Sequence, residues 1–204
     1  MPIPSLNVDW RGYQAETQRL QTLLPSLAAL APAHRKLVAE IVMVRLFLLI
    51  ENTLASVGAK ILCGAKYLDT TQPRKLVAAR SISAANGFMR SYGRKRSKRY
   101  LSWTKSQDIQ DNLSQTLNPA DPFFAVISKH GALLTEMRYV RNHIAHSNSG
   151  TRSNFRKVVS QYYGGLKQGV TPGLLLLTNA LGPTVILDRY IVSSRVVVKE
   201  LLRA

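Results

Sequence analysis

The chain has 204 residues, 46% of them hydrophobic, which is enough for a buried core and too apolar for global disorder. Its 28 Lys and Arg stand against 11 Asp and Glu, a net charge of +17, and such an excess predicts attraction to nucleic acid or an anionic surface. The single cysteine, Cys63, excludes an intramolecular disulfide. Met1-Pro2-Ile3-Pro4-Ser5 has no secretory pattern, and the most apolar window, residues 41–50, is short and contains Arg45. These features lead us to expect a soluble cytoplasmic protein without a membrane span.

In chain order, Asn7 or Asp9 is expected to cap a first helix with Tyr13, Leu20, Leu23 and Leu24 on one face. After Pro25 and Pro32, residues 33–62 read as a long helix with an apolar stripe of Leu37, Ile41, Val44, Leu48, Leu54 and Ala55, stopped by Gly64. Glu51 falls in that stripe region, where a carboxylate calls for a basic partner. Residues 67–106 mix Pro73, Gly87 and Gly93 with a short helical pattern of Leu76, Ala79, Ile82 and Met89. They end in the basic run Arg94-Lys95-Arg96-Ser97-Lys98-Arg99 and then Tyr100-Leu101-Ser102-Trp103.

Asp121-Pro122 has the form of a cap with proline in the first turn. The helix it opens carries Phe123, Phe124, Ile127, Leu133, Leu134, Met137, Val140 and Ile144, and Ser147-Asn148-Ser149-Gly150 breaks it. A helix over 154–163 stops at Gly164-Gly165, residues 170–178 suggest a short strand, and a last helix covers 184–202. The expected class is all-α: one helical-bundle domain over 1–204 with a basic, loop-rich insertion at about 87–106.

The charge is unevenly spread. No acid occurs in 70–107 or in 137–187. In the first stretch Arg94, Lys95, Arg96, Lys98 and Arg99 adjoin Tyr100 and Trp103, a pairing of cations and rings that suits single-stranded nucleic acid. The same aromatics would equally serve to anchor a loop to the core. The second stretch contains Arg141-Asn142-His143-Ile144-Ala145-His146. There Arg141 can neutralise a phosphoryl oxygen, and His146 can move a proton near neutral pH. Asn142, four residues before His146, shares its helix face and can orient the imidazole. His143 and His146 have no further ligand at metal spacing, and no glycine-rich phosphate loop is present, so no metal and no cofactor is expected.

Arg141-Asn142-x-x-x-His146, late on an apolar-faced helix with a small residue before the histidine, resembles the motif of HEPN-domain ribonucleases. The wider chain also resembles the branch of RNase LS-type and RiboL-PSP proteins. Tyr100-Leu101-Ser102-Trp103, the Asp121-Pro122 start and Gln168-x-x-Thr171-Pro172-Gly173 are similar to that branch as well. The resemblance implies a metal-independent endoribonuclease acting on RNA in a HEPN-like bundle. His146 would be the general acid or base, Arg141 would stabilise phosphoryl charge, and Asn142 would orient His146 or bond the phosphate. Attack by the ribose 2′-hydroxyl would leave a cyclic phosphate.

The family also implies a homodimer with a composite site, and a toxin or phage-defence role restrained by an antitoxin or defence partner. On an unbroken helix Arg141 and His146 point roughly 140° apart, so either the helix ends between them or a second subunit completes the site. Glu51 and Glu136 are candidates for supporting Arg141, with a structural role the first expectation for each. The alternative is a non-catalytic nucleic-acid-binding or accessory protein that keeps the fold.

Overall fold

The computed structural model describes residues 3–179 and 182–203. Among these the secondary structure is helical, with one isolated bridge, Lys75 to Leu117. The helices are α1 (Leu6–Thr22), α2 (Pro32–Leu62), α3 (Ile82–Ser91), α4 (Ser106–Leu113), α5 (Pro122–Lys129), α6 (Gly131–Ala145), α7 (Ser149–Tyr163), α8 (Pro172–Leu176) and α9 (Ile186–Arg203), with a 3-10 turn at Pro25–Ala29. No described helix is long and apolar enough to cross a membrane. The chain divides into two compact units, each built from separated stretches. The first unit takes the residues up to Gln14, Ile50–Leu134 and those from Val196 onward; the second takes Ala15–Leu49 and Thr135–Arg195.

In the first unit, Asp9 does not cap α1. Its carboxylate accepts from Ser56 Oγ at 2.6 Å and from Lys60 Nζ at 2.7 Å, while Ser5 Oγ, one residue before the helix, accepts from the Asn7 N–H at 3.2 Å. A half-buried carboxylate is better matched by an ammonium than by backbone dipoles alone. Asp121, 1% exposed, does cap: it accepts from the Phe123 N–H at 3.0 Å, the Arg74 N–H at 2.7 Å and Tyr67 Oη at 2.6 Å. One carboxylate thus starts α5 and fixes the loop before α3.

The helix expected from Asp121 to the motif is interrupted at His130, whose backbone (φ −99°, ψ 8°) leaves the helical region. His130 Nε2 and Lys129 Nζ both lie 2.8 Å from Glu200 of α9. The helical pattern over 76–89 is realised only from Ser81, which caps α3 through the Ala84 N–H. Leu76 stays exposed in the preceding loop.

The second unit corrects the apolar stripe of α2. Leu37, Ile41 and Leu48 are exposed, while Ala39, Val42, Met43, Leu46 and Phe47 are buried. This part of α2 is apolar on nearly every side, so helical periodicity alone selects no face. Residues 170–178 contain α8 (Pro172–Leu176) and no strand. Thr171 Oγ1 accepts from the Leu174 N–H and Pro172 opens the turn. A Cβ on Gly173 would lie 2.6 Å from the Lys36 carbonyl oxygen, and the Gly173 N–H donates to Glu40 at 2.8 Å. Only glycine admits that approach.

α7 begins five residues earlier than expected. Asn148 caps it by accepting from the Thr151 N–H, and Thr151 Oγ1 returns to the Asn148 N–H. On α1 and α9, Arg195 donates to Thr17 at 2.8 Å and to Gln21 at 2.7 Å, and Gln21 donates to Asp188 at 2.6 Å.

Candidate functional site

The Arg141–His146 segment occupies the last turn of α6 and its exit. Met137 and Val140 are fully buried and hold the helix in place. The helix ends at Ala145, between Arg141 and His146. Four bonds set that end. Ser147 Oγ donates to the His143 carbonyl at 3.2 Å. The His146 N–H donates to the Asn142 carbonyl at 2.9 Å, and the His146 carbonyl accepts from the Asn148 N–H at 2.7 Å. The Thr151 hydroxyl also donates to the His146 carbonyl. His146 is therefore clamped by its backbone while the residue itself is exposed.

Arg141, half-buried, lies with its guanidinium carbon 5.9 Å from the Phe47 ring centre and donates to Asn142 Oδ1 at 3.1 Å. Among the described residues the Asn142 amide is thus bonded to Arg141 and not to the His146 ring. Asn142 positions the arginine in this structure, an arrangement that helix spacing did not single out. Glu136 accepts from Tyr162 Oη and Tyr190 Oη, each at 2.6 Å on the same oxygen, and from Gln161 Nε2 at 3.2 Å on the other. It braces α6 against α7 and α9. Glu51 is half-buried on α2, in the first unit.

His143 lies on the turn between Arg141 and His146. Its ring stacks on Phe155 of α7 at 4.8 Å and 24° between planes, and Nδ1 is 3.3 Å from Thr151 Oγ1. Burial first, then the charge of Arg152, hold the imidazole below its ordinary pKa, against the pull of Glu40. Thr151 therefore touches both histidines of the segment. Sequence reading passed over it because Ser147-Asn148-Ser149-Gly150 looks like a plain break. The capping box Asn148–Thr151 was the available signal.

The basic segment of the first unit separates into two groups. Arg94 is 11% exposed at its side chain and paired with Asp111, to which Lys98 is also bonded. Lys98 further donates to Asn112 at 3.0 Å. The Lys98 ammonium beside it is the main reason the Asp111 carboxyl is held below the usual range. Trp103, 8% exposed, packs over Gly58, where an added Cβ would meet its ring at 2.9 Å. It anchors the loop and offers no free face for a base. Lys95, Arg96, Arg99 and Tyr100 remain exposed, Tyr100 at 75%. Those four are the cations and ring of the run that stay open to solvent.

Among the described residues no group of three His, Cys, Asp or Glu side chains comes together to hold a metal. Comparison with family models, with curated proteins and with solved structures finds no match.

Proposed function

We propose that the chain is a metal-independent endoribonuclease of the HEPN type. The observation that carries this reading is the clamp on His146. Its backbone is fixed at both amide and carbonyl, its side chain meets solvent, and Arg141 is held by Asn142 on the last turn of the same helix. A proton-transfer group is most effective when its position is fixed.

In the proposed reaction one imidazole removes the proton of a ribose 2′-hydroxyl. The 2′-oxygen attacks the adjacent phosphorus, the bond to the 5′-oxygen breaks, and a cyclic phosphate remains. Arg141 offsets the charge that develops on the phosphoryl oxygens. The departing 5′-oxygen needs a proton, which a His146 from a second copy would supply, so the active form is proposed to be a homodimer. Lys95, Arg96, Arg99 and Tyr100 would bind the strand. A toxin or phage-defence effector held in check by a partner is the proposed setting.

The exposed cations and Tyr100 also suit a second reading, a nucleic-acid-binding protein without catalysis. Incubating the protein with a structured RNA and a matched DNA in excess chelator, beside His146→Ala, separates the two. The ribonuclease reading expects chelator-resistant cleavage of RNA only, cyclic phosphate ends, and loss of cleavage with binding retained in the variant. Binding without cleavage in both proteins would favour the second reading, and cleavage undiminished in the variant would overturn the site.

A further inference from the structure

A cavity of about 590 Å³ opens beside the motif helix in the second unit, bounded by His143, Arg152, Phe155, Arg156, Lys167 and Gln168 among others. Three of these six are permanent cations, and no carboxylate is among the described residues that line it. Glu40, which His143 feels electrostatically, is held on the Gly173 N–H instead. Among the described residues no ion pair engages Arg152, Arg156 or Lys167. Lys167 Nζ rests 4.5 Å over the Tyr163 ring. All three side chains belong to exposed residues. Such a set attracts an anion.

The remaining wall says which anion. The His143 ring is half-buried and backed by the Phe155 ring at 4.8 Å, and Thr151 touches its Nδ1, so it forms a rigid platform on which a planar group can stack. Gln168 adds an amide with both donors and an acceptor. The volume lies in the range of small-molecule sites and is far more than an inorganic anion needs.

We propose that this cavity is a nucleotide site. The base stacks on His143, Gln168 bonds its edge, and the phosphate is held by Arg152, Arg156 and Lys167. His143 and His146 are three residues apart and both contact Thr151 Oγ1, so the bound nucleotide is the one adjoining the scissile phosphate of an RNA strand. That placement on a strand rests on the ribonuclease reading; the nucleotide chemistry of the cavity does not.

The test titrates the full chain with AMP, inorganic phosphate, polyglutamate and a 2′-O-methyl RNA oligonucleotide, which the proposed reaction cannot cut. AMP is expected to bind at least about tenfold tighter than phosphate. Arg156→Gln/Lys167→Gln is expected to weaken both AMP and the oligonucleotide by about tenfold or more, at unchanged Tm, while Lys199→Gln, an exposed cation that does not line the cavity, changes neither.

AMP binding that the double variant leaves intact, AMP no tighter than phosphate, or polyglutamate that outcompetes AMP would each overturn the site. Loss of AMP with oligonucleotide binding unchanged would keep the nucleotide site and overturn its place on the strand. Loss of both in the double variant, with wild-type protein that never cuts RNA, would keep the site and retire the ribonuclease reading alone.

Discussion

Replacing Glu136 by alanine tests whether this carboxylate braces the motif helix or serves the motif itself. One of its oxygens accepts from both Tyr162 Oη and Tyr190 Oη at 2.6 Å. The two tyrosines are 9% and 2% exposed, so the alanine variant leaves two buried hydroxyls without their acceptor. Each orphaned donor costs about 1–3 kcal/mol, and the exposed Gln161 bond adds little. Water entering the vacated space recovers part of this, so the expected loss is about 3 kcal/mol. That is a large share of a typical stability of about 5–15 kcal/mol.

Glu136→Gln keeps an acceptor but not its charge, and is expected to lose about 1–2 kcal/mol. Urea unfolding of both variants, compared at constant m, measures these differences. A Glu136→Ala stability within about 0.5 kcal/mol of wild type would refute the bracing argument. Unchanged stability together with lost RNA cleavage would place Glu136 in the catalytic machinery.

The same cluster has a pH signature. Burial first, then the negative charge of Glu136, push the Tyr190 phenol above its ordinary value, and burial with the Glu136 bond does the same for Tyr162. A folded-state pKa above the unfolded value of about 10 means the contribution is complete below pH 10. It is lost as pH rises beyond, because only the unfolded phenol gives up its proton there. Stability is therefore expected to fall steeply above pH 10, and less steeply in Tyr190→Phe.

Asp121→Ala removes the α5 cap and strands the buried Tyr67 hydroxyl and Arg74 N–H. It is expected to cost roughly 3 kcal/mol or more in urea unfolding, and Asp121→Asn, which keeps an acceptor, distinctly less. His143 is expected to titrate below 6.5 by NMR and to move back toward it in Arg152→Gln, by part of the shift because burial is the larger cause. With the folded value depressed, the stability tied to neutral His143 is present above pH 6.5 and is lost as pH falls through the folded pKa. A midpoint at or above 6.5 would contradict the burial of His143 against Phe155.

Local chemistry in the sequence determined where several helices start and stop. Asp121-Pro122 caps and opens α5, Gly164 in the left-handed conformation (φ +69°) ends α7, and Gly64 (φ +97°) follows α2. The all-α class and the position of Arg141 late on a helix, with His146 at its exit, were legible for the same reason, since caps, glycines and periodicity act within a few residues.

Which side of a helix is buried was not legible. Val42, Leu46 and Phe47 face the core of α2 while Leu37, Ile41 and Leu48 meet solvent, because an almost wholly apolar segment leaves the choice to its neighbours. The basic run shows the same division. Nothing local tells Arg94 and Lys98 from Lys95, Arg96 and Arg99. Asp111, more than ten residues along the chain, takes the first two, and Gly58 leaves room for Trp103. Only the fold brings those partners within reach, and so only the fold decided which cations and rings remain for a ligand.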